Sequence, residues 1–196
     1  MPILKREPDL YPAEIFELGS GQPWWVAQVR SRQEKMLSRE LRRLEVPFFL
    51  PLREQKVVRR GRQQVSFPPL FPGYLFFKGN GSERMRAIAT GFVSRTIHVL
   101  DQEQIGMELR QIGELGRLGL PLVPHPYLGP GDLISVVSGP FHGYRGHVLR
   151  AKGLTRLIIS IELLRKSIRV EFDREALVPF EPIRAFSEPG RRSAAA

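Results

Sequence analysis

The chain has no cysteine, which excludes disulfides and thiolate metal sites and fits a reducing compartment. No apolar run approaches the roughly 18 residues that mark a membrane span. Pro2, Lys5, Arg6, Glu7 and Pro8 leave no room for a signal-peptide core, so a cytoplasmic protein with no membrane partner is expected. The four histidines, His98, His125, His142 and His147, are scattered, with no second ligand at metal spacing, so neither a metal nor another cofactor is expected. No Ser/His/Asp grouping carries a nucleophile elbow. The glycine-rich stretch from Gly139 to Gly146 lacks the Lys-Ser/Thr of a phosphate loop and precedes a strand. Catalysis is therefore not expected. Acidic residues are also short: 20 Asp and Glu face 30 Lys and Arg, a net charge of +10. A polyanion partner follows from that imbalance.

The basic residues are concentrated. Between Arg30 and Arg62, 11 Lys and Arg stand against 4 Asp and Glu, a net of +7. A surface selected only for solubility mixes its signs more evenly. Trp24 to Val29 reads as a strand, and Ser31 with Glu34 reads as a capping box. Leu37, Leu41 and Leu44 then recur at helical spacing, with Lys35, Arg39, Arg42 and Arg43 mostly off that stripe. Val46-Pro47 closes the helix. Two polar strands flank Arg60-Gly61 as a hairpin, which should project into solvent or onto an anion.

The densest apolar run follows, Pro68-Pro69-Leu70-Phe71-Pro72-Gly73-Tyr74-Leu75-Phe76-Phe77. Its prolines deny it a helix, and Tyr74 to Phe77 read as a central strand. A sheet in a small domain often has one open side, and aromatics on that side would form a pocket for a partner. Ser82 is placed as the cap of a short helix carrying Met85, Ile88 and Ala89. Val93 to Val99 alternate as a strand. Asp101 and Gln104 open a third helix carrying Ile105, Leu109 and Ile112, with Gly113 and Gly116 weakening its end. This order predicts an α+β unit, an antiparallel sheet with helices on one face. Residues 1–21 read as a tail, although Leu10-Tyr11-Pro12 and Ile15-Phe16 could dock on the body. Gly119 to Gly129 reads as an interdomain linker. Leu133–Val137, His147–Leu149, Leu157–Leu163 and Ile168–Phe172 then read as the strands of a small barrel. Leu157, Ile161, Leu164 and Ile168 also fit a helical stripe, but clean alternation and β-branching over this stretch favour strands.

The pattern "GDLISVVSGPFHGYRGHV" resembles the KOW motif of small SH3-like barrels, and "WWVAQVRSRQEK" with "LFPGYLFF" resembles the N-terminal domain of the NusG family. The resemblance covers about Gln22 to Phe180. It implies a tail at 1–21, a NusG-type domain at 22–118, a linker at 119–129, an SH3-like KOW barrel at 130–181 and a C-terminal tail at 182–196. It also implies a monomeric, non-enzymatic transcription elongation or antitermination factor; the tail before Gln22 and the strongly basic hairpin favour a specialised, RfaH-like branch over the general one. Phe71, Pro72, Tyr74 and Phe76 match positions that grip the RNA polymerase clamp helices, and Arg84 and Arg86 match a second polymerase contact. Trp24 and Trp25 match paired aromatics of which one is expected in the core. Arg30, Arg32, Lys35, Arg39 and Arg43 match the region facing non-template DNA in the transcription bubble. Gly131, Asp132, Gly139, Pro140, Phe141, Gly143 and Gly146 carry the KOW pattern. Phe141, Leu163 and Leu164 match the surface that docks a small-subunit ribosomal protein or Rho. The competing expectation is a stand-alone RNA- or ribosome-binding KOW protein. The barrel is expected to rest with the aromatic pocket uncovered.

Overall fold

The computed structural model describes residues 8–18, 21–59, 61–127, 134–136, 142–151, 154–172 and 180–182. The first unit is built on a five-stranded antiparallel sheet in the order β1-β3-β6-β2-β7. These strands are β1 (Leu10–Tyr11), β2 (Trp24–Val29), β3 (Phe48–Phe49), β6 (Tyr74–Lys78) and β7 (Val93–His98). Strand period sends alternate residues to opposite faces. Trp24, Val26, Phe49 and Phe76 therefore meet one core cluster, while Ala27, Val29, Phe48, Leu75 and Phe77 meet another. Helices α1 (Glu34–Arg43) and α2 (Gly81–Ala89) cover the second cluster through Leu37, Leu41 and Ala87. Helix α3 (Gln102–Arg117) covers the first through Ile105, Leu109 and Ile112. The helices thus lie on both faces, not on one as expected. The cause is the central strand: four successive apolar residues need cover on both sides. Phe48, Phe49, Phe76 and Phe77 are all essentially inaccessible, each burial contributing about 2–3 kcal/mol.

Several local expectations shift. The α1 N-cap is Gln33, with no side-chain cap bond, in place of Ser31, because Arg32 adopts φ 60° and turns the chain before the helix starts. The α2 cap is Asn80, not Ser82, and it forms the full capping box with Glu83. Asp101 caps α3 as expected, accepting from the Gln104 amide at 2.8 Å. Strands β4 (Gln55–Arg59) and β5 (Arg62–Ser66) form a separate two-stranded ribbon in the register Arg59↔Arg62. Gly61 takes φ 72°, as a two-residue hairpin turn requires. Arg60 lies outside the described residues.

The segment expected as a tail is instead built in from residue 8 to 18. Leu10–Tyr11 pairs with Phe48–Phe49, and Ile15 is fully buried. The Phe16 ring meets Phe49 edge-on at 5.2 Å. The Arg110 and Arg117 side chains donate to the carbonyls of Phe16 and Ala13. Gly113 explains itself here: a Cβ at that position would lie 2.6 Å from the Phe16 ring.

The expected linker is also partly folded. Leu122 is buried, and β8 (Val123–His125) pairs with β12 (Lys166–Phe172). It forms the edge of a six-stranded antiparallel sheet in the order β13-β9-β10-β11-β12-β8, where Pro124 is tolerated. The other strands are β9 (Ile134–Val136), β10 (Arg145–Ala151), β11 (Leu154–Ile161) and β13 (Phe180–Pro182). The strand reading of this half is the one observed. Its helical alternative would have broken the long ladder that runs from Thr155↔Phe172 to Ile161↔Lys166. Leu157, Ile159, Ile161, Ile168 and Val170 join the same core cluster as α3 and Phe76.

Glu108 of α3 lies at this junction. Its carboxylate accepts from the Gln104 side chain at 2.8 Å and the Glu162 amide at 3.4 Å. Burial pushes its pKa up to about 7, with the charges of Glu162 and Asp101 adding to the rise against those two hydrogen bonds.

Two predictions follow from this packing. Gly113→Ala forces the Phe16 ring to move, and the overpacking cost of about 1–3 kcal/mol exceeds the helix gain of about 1 kcal/mol. Urea denaturation should show a net loss of about 1 kcal/mol, and a gain in stability would contradict the contact. The second concerns pH. Below 4.5, the ordinary value, Glu108 is protonated in both folded and unfolded chains. As pH rises towards about 7 the unfolded chain ionises first, so stability falls, and above that it levels off. The loss attributable to this group is at most about 3 kcal/mol. Glu108→Gln should remove it, making the variant more stable than the parent at pH 8 but not at pH 4. A stability difference independent of pH would refute the assignment.

Candidate polymerase and nucleic-acid interface

The aromatic run enters β6 through a turn at Phe71–Gly73. Gly73 takes φ 85°, a left-handed conformation that glycine adopts without strain. Two hydrogen bonds fix this turn. The Gly73 carbonyl accepts from the Val29 amide at 2.8 Å, and the Gly73 amide donates to Glu34 Oε1 at 2.7 Å. Glu34 is a buried acid at the first turn of α1. Its carboxyl group lies at the N-terminal end of the helix and accepts the Gly73 N–H. Sequence reasoning gave Glu34 to a capping box and missed this role, because the partner is 39 residues away.

The consequence is positional. The turn before β6 and the start of the basic helix are held side by side. Arg30 and Arg32 are exposed at that junction, and the Arg30 amide donates to the Phe92 carbonyl. Lys35, Arg39 and Arg42 fall about 140–200° around the helix from Leu37, on the outer face. Lys35 is half-buried and Arg39 exposed. The Arg39 guanidinium touches Met36 Sδ at 3.3 Å. Arg43 pairs with Glu40 at 2.8 Å, an exposed i, i+3 pair of the kind that contributes little to stability and yields readily to a stronger partner.

The aromatic positions separate into two kinds. Phe71 and Phe76 are buried, at 3% and 0% exposure, with their rings edge-to-face at 6.2 Å. Pro72 is exposed and Tyr74 half-buried. The Lys166 ammonium lies 5.7 Å above the Tyr74 ring. The open aromatic pocket expected from the sequence is therefore closed in this conformation, because α3 and the second sheet occupy the side of β6 that was expected to face solvent. Only Pro72 and part of Tyr74 remain accessible.

Arg84 and Arg86 stand apart on α2. The Arg84 guanidinium lies 5.2 Å over the Trp25 ring, and its Nε donates to Thr96 Oγ1 at 2.8 Å. Arg86 bonds the Leu44 carbonyl and Glu83. Both are engaged within the fold. Trp24 is in the core and Trp25 is half-buried, its indole donating to the Gly79 carbonyl.

In the second sheet, a Cβ on Gly146 would lie 2.4 Å from the Ile158 carbonyl oxygen, so only glycine admits the close approach of β10 to β11. Gly143 is exposed with φ 86°. Leu163 is 41% exposed, while Leu164 is half-buried against the shared core. Gly131, Asp132, Gly139, Pro140 and Phe141 lie outside the described residues.

A cleft of about 480 Å³ on the first unit is lined by Phe16, Trp24, Lys78, Gln102 and Arg110 among others. Burial, and then the Arg110 charge, lower the pKa of Lys78. Its ammonium already donates to the Leu18 carbonyl at 2.8 Å and sits over Trp24, so this cation secures the N-terminal segment. Among the described residues no three His, Asp or Glu side chains gather as metal ligands do, and no helix is long and apolar enough to cross a membrane.

Residues 22–109 match the family model described as "Transcription termination factor nusG". The chain is 26% identical over 172 residues to the transcription termination/antitermination protein NusG of Buchnera aphidicola subsp. Baizongia pistaciae, covering 76% of this chain and 92% of that protein. It is 26% identical over 122 residues to the transcription elongation factor Spt5 of Sulfolobus acidocaldarius, covering 61% of this chain and 71% of that one. A solved structure of the MjSpt4:Spt5 complex covers 84% of this chain and 99% of its own, at 14% identity, with a TM-score of 0.25 that is too low to bear on the fold. The matched region is the one that carries the basic helix and the aromatic strand, and over residues 22–109 the chain is a NusG-type domain.

Proposed function

We propose that this chain is a non-enzymatic elongation or antitermination factor that binds RNA polymerase through the turn and strand from Phe71 to Phe76. Pro72 and Tyr74 make the direct contact with the clamp helices, and Phe71 and Phe76 hold them in place from the core. The exposed arginines at and after the end of β2 face the non-template DNA of the bubble. Arg84 and Arg86 form a secondary polymerase contact that requires their present partners to be exchanged. The second unit, residues 130–181, acts as a KOW SH3-like barrel that recruits a small-subunit ribosomal protein or Rho through Phe141, Leu163 and Leu164. The protein works as a monomer in the bacterial cytoplasm, on the specialised branch of the family. The built-in N-terminal segment and the projecting basic ribbon support that branch.

The observation that carries this reading is the Glu34–Gly73 hydrogen bond at 2.7 Å. It sets an exposed proline and a half-buried tyrosine beside an exposed arginine pair, so one face presents both an apolar and a cationic contact. A ribosome binder has no need of that juxtaposition.

Two measurements test it. Phe76 is fully buried, so its truncation would cost about 3–5 kcal/mol and unfold as much as unbind. Tyr74→Ala alone is the informative variant. It should retain the parent's circular dichroism and lose at least about tenfold in affinity for core polymerase, as loss of an interface aromatic does. Unchanged affinity would remove β6 from the interface. Neutralising Arg30, Arg32 and Arg39 together should weaken association with a transcription bubble and reduce the log–log salt slope by about 0.7 per lost single-strand phosphate contact. An unchanged slope would transfer the DNA contact to the β4–β5 ribbon.

A further inference from the structure

The cleft of about 480 Å³ on the first unit has the size of a small-molecule site. It lies where the N-terminal segment, the start of β2, the end of β6 and the first half of α3 meet. Its lining is mostly apolar, with two cations set into it, Lys78 and Arg110. Lys78 is only 6% exposed. Among the described residues, neither cation has a carboxylate within ion-pair distance. Glu103, the acid of the lining, is exposed and pairs with neither. Each cation instead bonds a backbone carbonyl, Lys78 that of Leu18 at 2.8 Å and Arg110 that of Phe16. An ammonium carries three donors and a guanidinium five, so both keep donors beyond these bonds. A neutral amide side chain could bond the same carbonyls without the cost of burying charge. Here burial and then the Arg110 charge act against the Lys78 ammonium, and an anion between the two relieves both.

Gly106 points the same way. It lies inside α3, where glycine is less favourable than alanine. Packing does not call for it: a Cβ there would have Trp24 Nε1 3.7 Å away, an ordinary contact. Gly113, whose Cβ would collide with Phe16, is the contrast on the same helix. Gly106 stands four residues before Arg110, on the same face, and its missing side chain leaves room in the cleft beside that cation.

We propose that this cleft binds a small organic anion, with its phosphate or carboxylate group held by Lys78 and Arg110 and its apolar body lying over Gly106 against Phe16 and Met107. Such a ligand bridges the N-terminal segment, β6 and α3, so its binding stabilises the first unit. The inference goes beyond the polymerase reading and does not depend on it.

The chain has two tryptophans, so the indole N–H resonances of the full-length protein can be followed one by one. Adenosine monophosphate and octanoate are the probes, with adenosine, octanol and inorganic phosphate as comparisons. At least one of the two organic anions should shift the Trp24 indole signal saturably, leave that of Trp25 in place and raise the melting temperature. It should bind at least about tenfold more tightly than its uncharged counterpart and than inorganic phosphate. Which of the two binds distinguishes an aromatic from an aliphatic body. Arg110→Gln should weaken that binding about tenfold. Gly106→Leu should abolish it by filling the cleft, with the parent's circular dichroism retained. Gly106→Ala serves if leucine disturbs the helix, and should weaken binding while raising the melting temperature of the free chain. Equal affinity for phosphate and the organic anions, or binding unchanged in the Gly106 variants, is general attraction to a basic chain and overturns the site. A Trp24 signal that responds to neither organic anion overturns it as well.

Discussion

Strand β6 is apolar on both faces, and the first unit is arranged to satisfy that. Leu75 and Phe77 draw α1 and α2 to one side, while Phe76 draws α3 and the second sheet to the other. A central strand pairs with neighbours on both edges, here β3 and β2. Over Phe76 and Phe77 the ladder is thus filled on both edges, and the residues where the strand enters the sheet are the ones left for a partner to meet. This is why Pro72 and Tyr74 are accessible and Phe71 and Phe76 are not. On the proposed reading, recognition by this strand uses its accessible entrance, mounted on a rigid, buried base.

Glu34 links that base to the charge. A buried carboxylate is costly unless it is hydrogen-bonded, and here the Gly73 amide and the start of α1 supply the compensation. The arrangement fixes the distance between the apolar and cationic parts of the candidate interface without using any of the exposed side chains themselves. Helix α3 plays the corresponding role between the two sheets. Its apolar side, through Leu109 and Ile112, completes the first core, and its polar side, through Gln111 and Glu114, meets the second sheet.

Elements governed by local periodicity were legible in the sequence. The buried Leu37–Leu41 stripe of α1, the hairpin turn at Gly61, the β6 strand and the Ile105–Leu109–Ile112 face of α3 all sit where spacing placed them. Features decided by contacts distant in sequence were not. Residues 8–18 lack a strong period, yet Ile15 and Phe16 fill the gap beside Gly113. Prolines and low charge made 119–129 read as a linker, although the edge strand at 123–125 accepts both. The N-cap of α1 moved to Gln33 because Arg32 adopts a left-handed conformation, which no local rule assigns to arginine. The basic residues of the candidate site were visible from charge density, and most of them do lie on exposed positions. The cover over the aromatic run was not visible, because it comes from a sheet some 80 residues further along the chain.

The central claim is that the entrance to β6 meets the polymerase. Photo-crosslinking tests it most directly, with a benzophenone amino acid in place of the exposed Pro72 and illumination of the full-length protein on a reconstituted elongation complex. The account predicts a crosslink to the clamp helices of the largest polymerase subunit. A crosslink found only on ribosomal proteins or RNA, with none on polymerase, would contradict it.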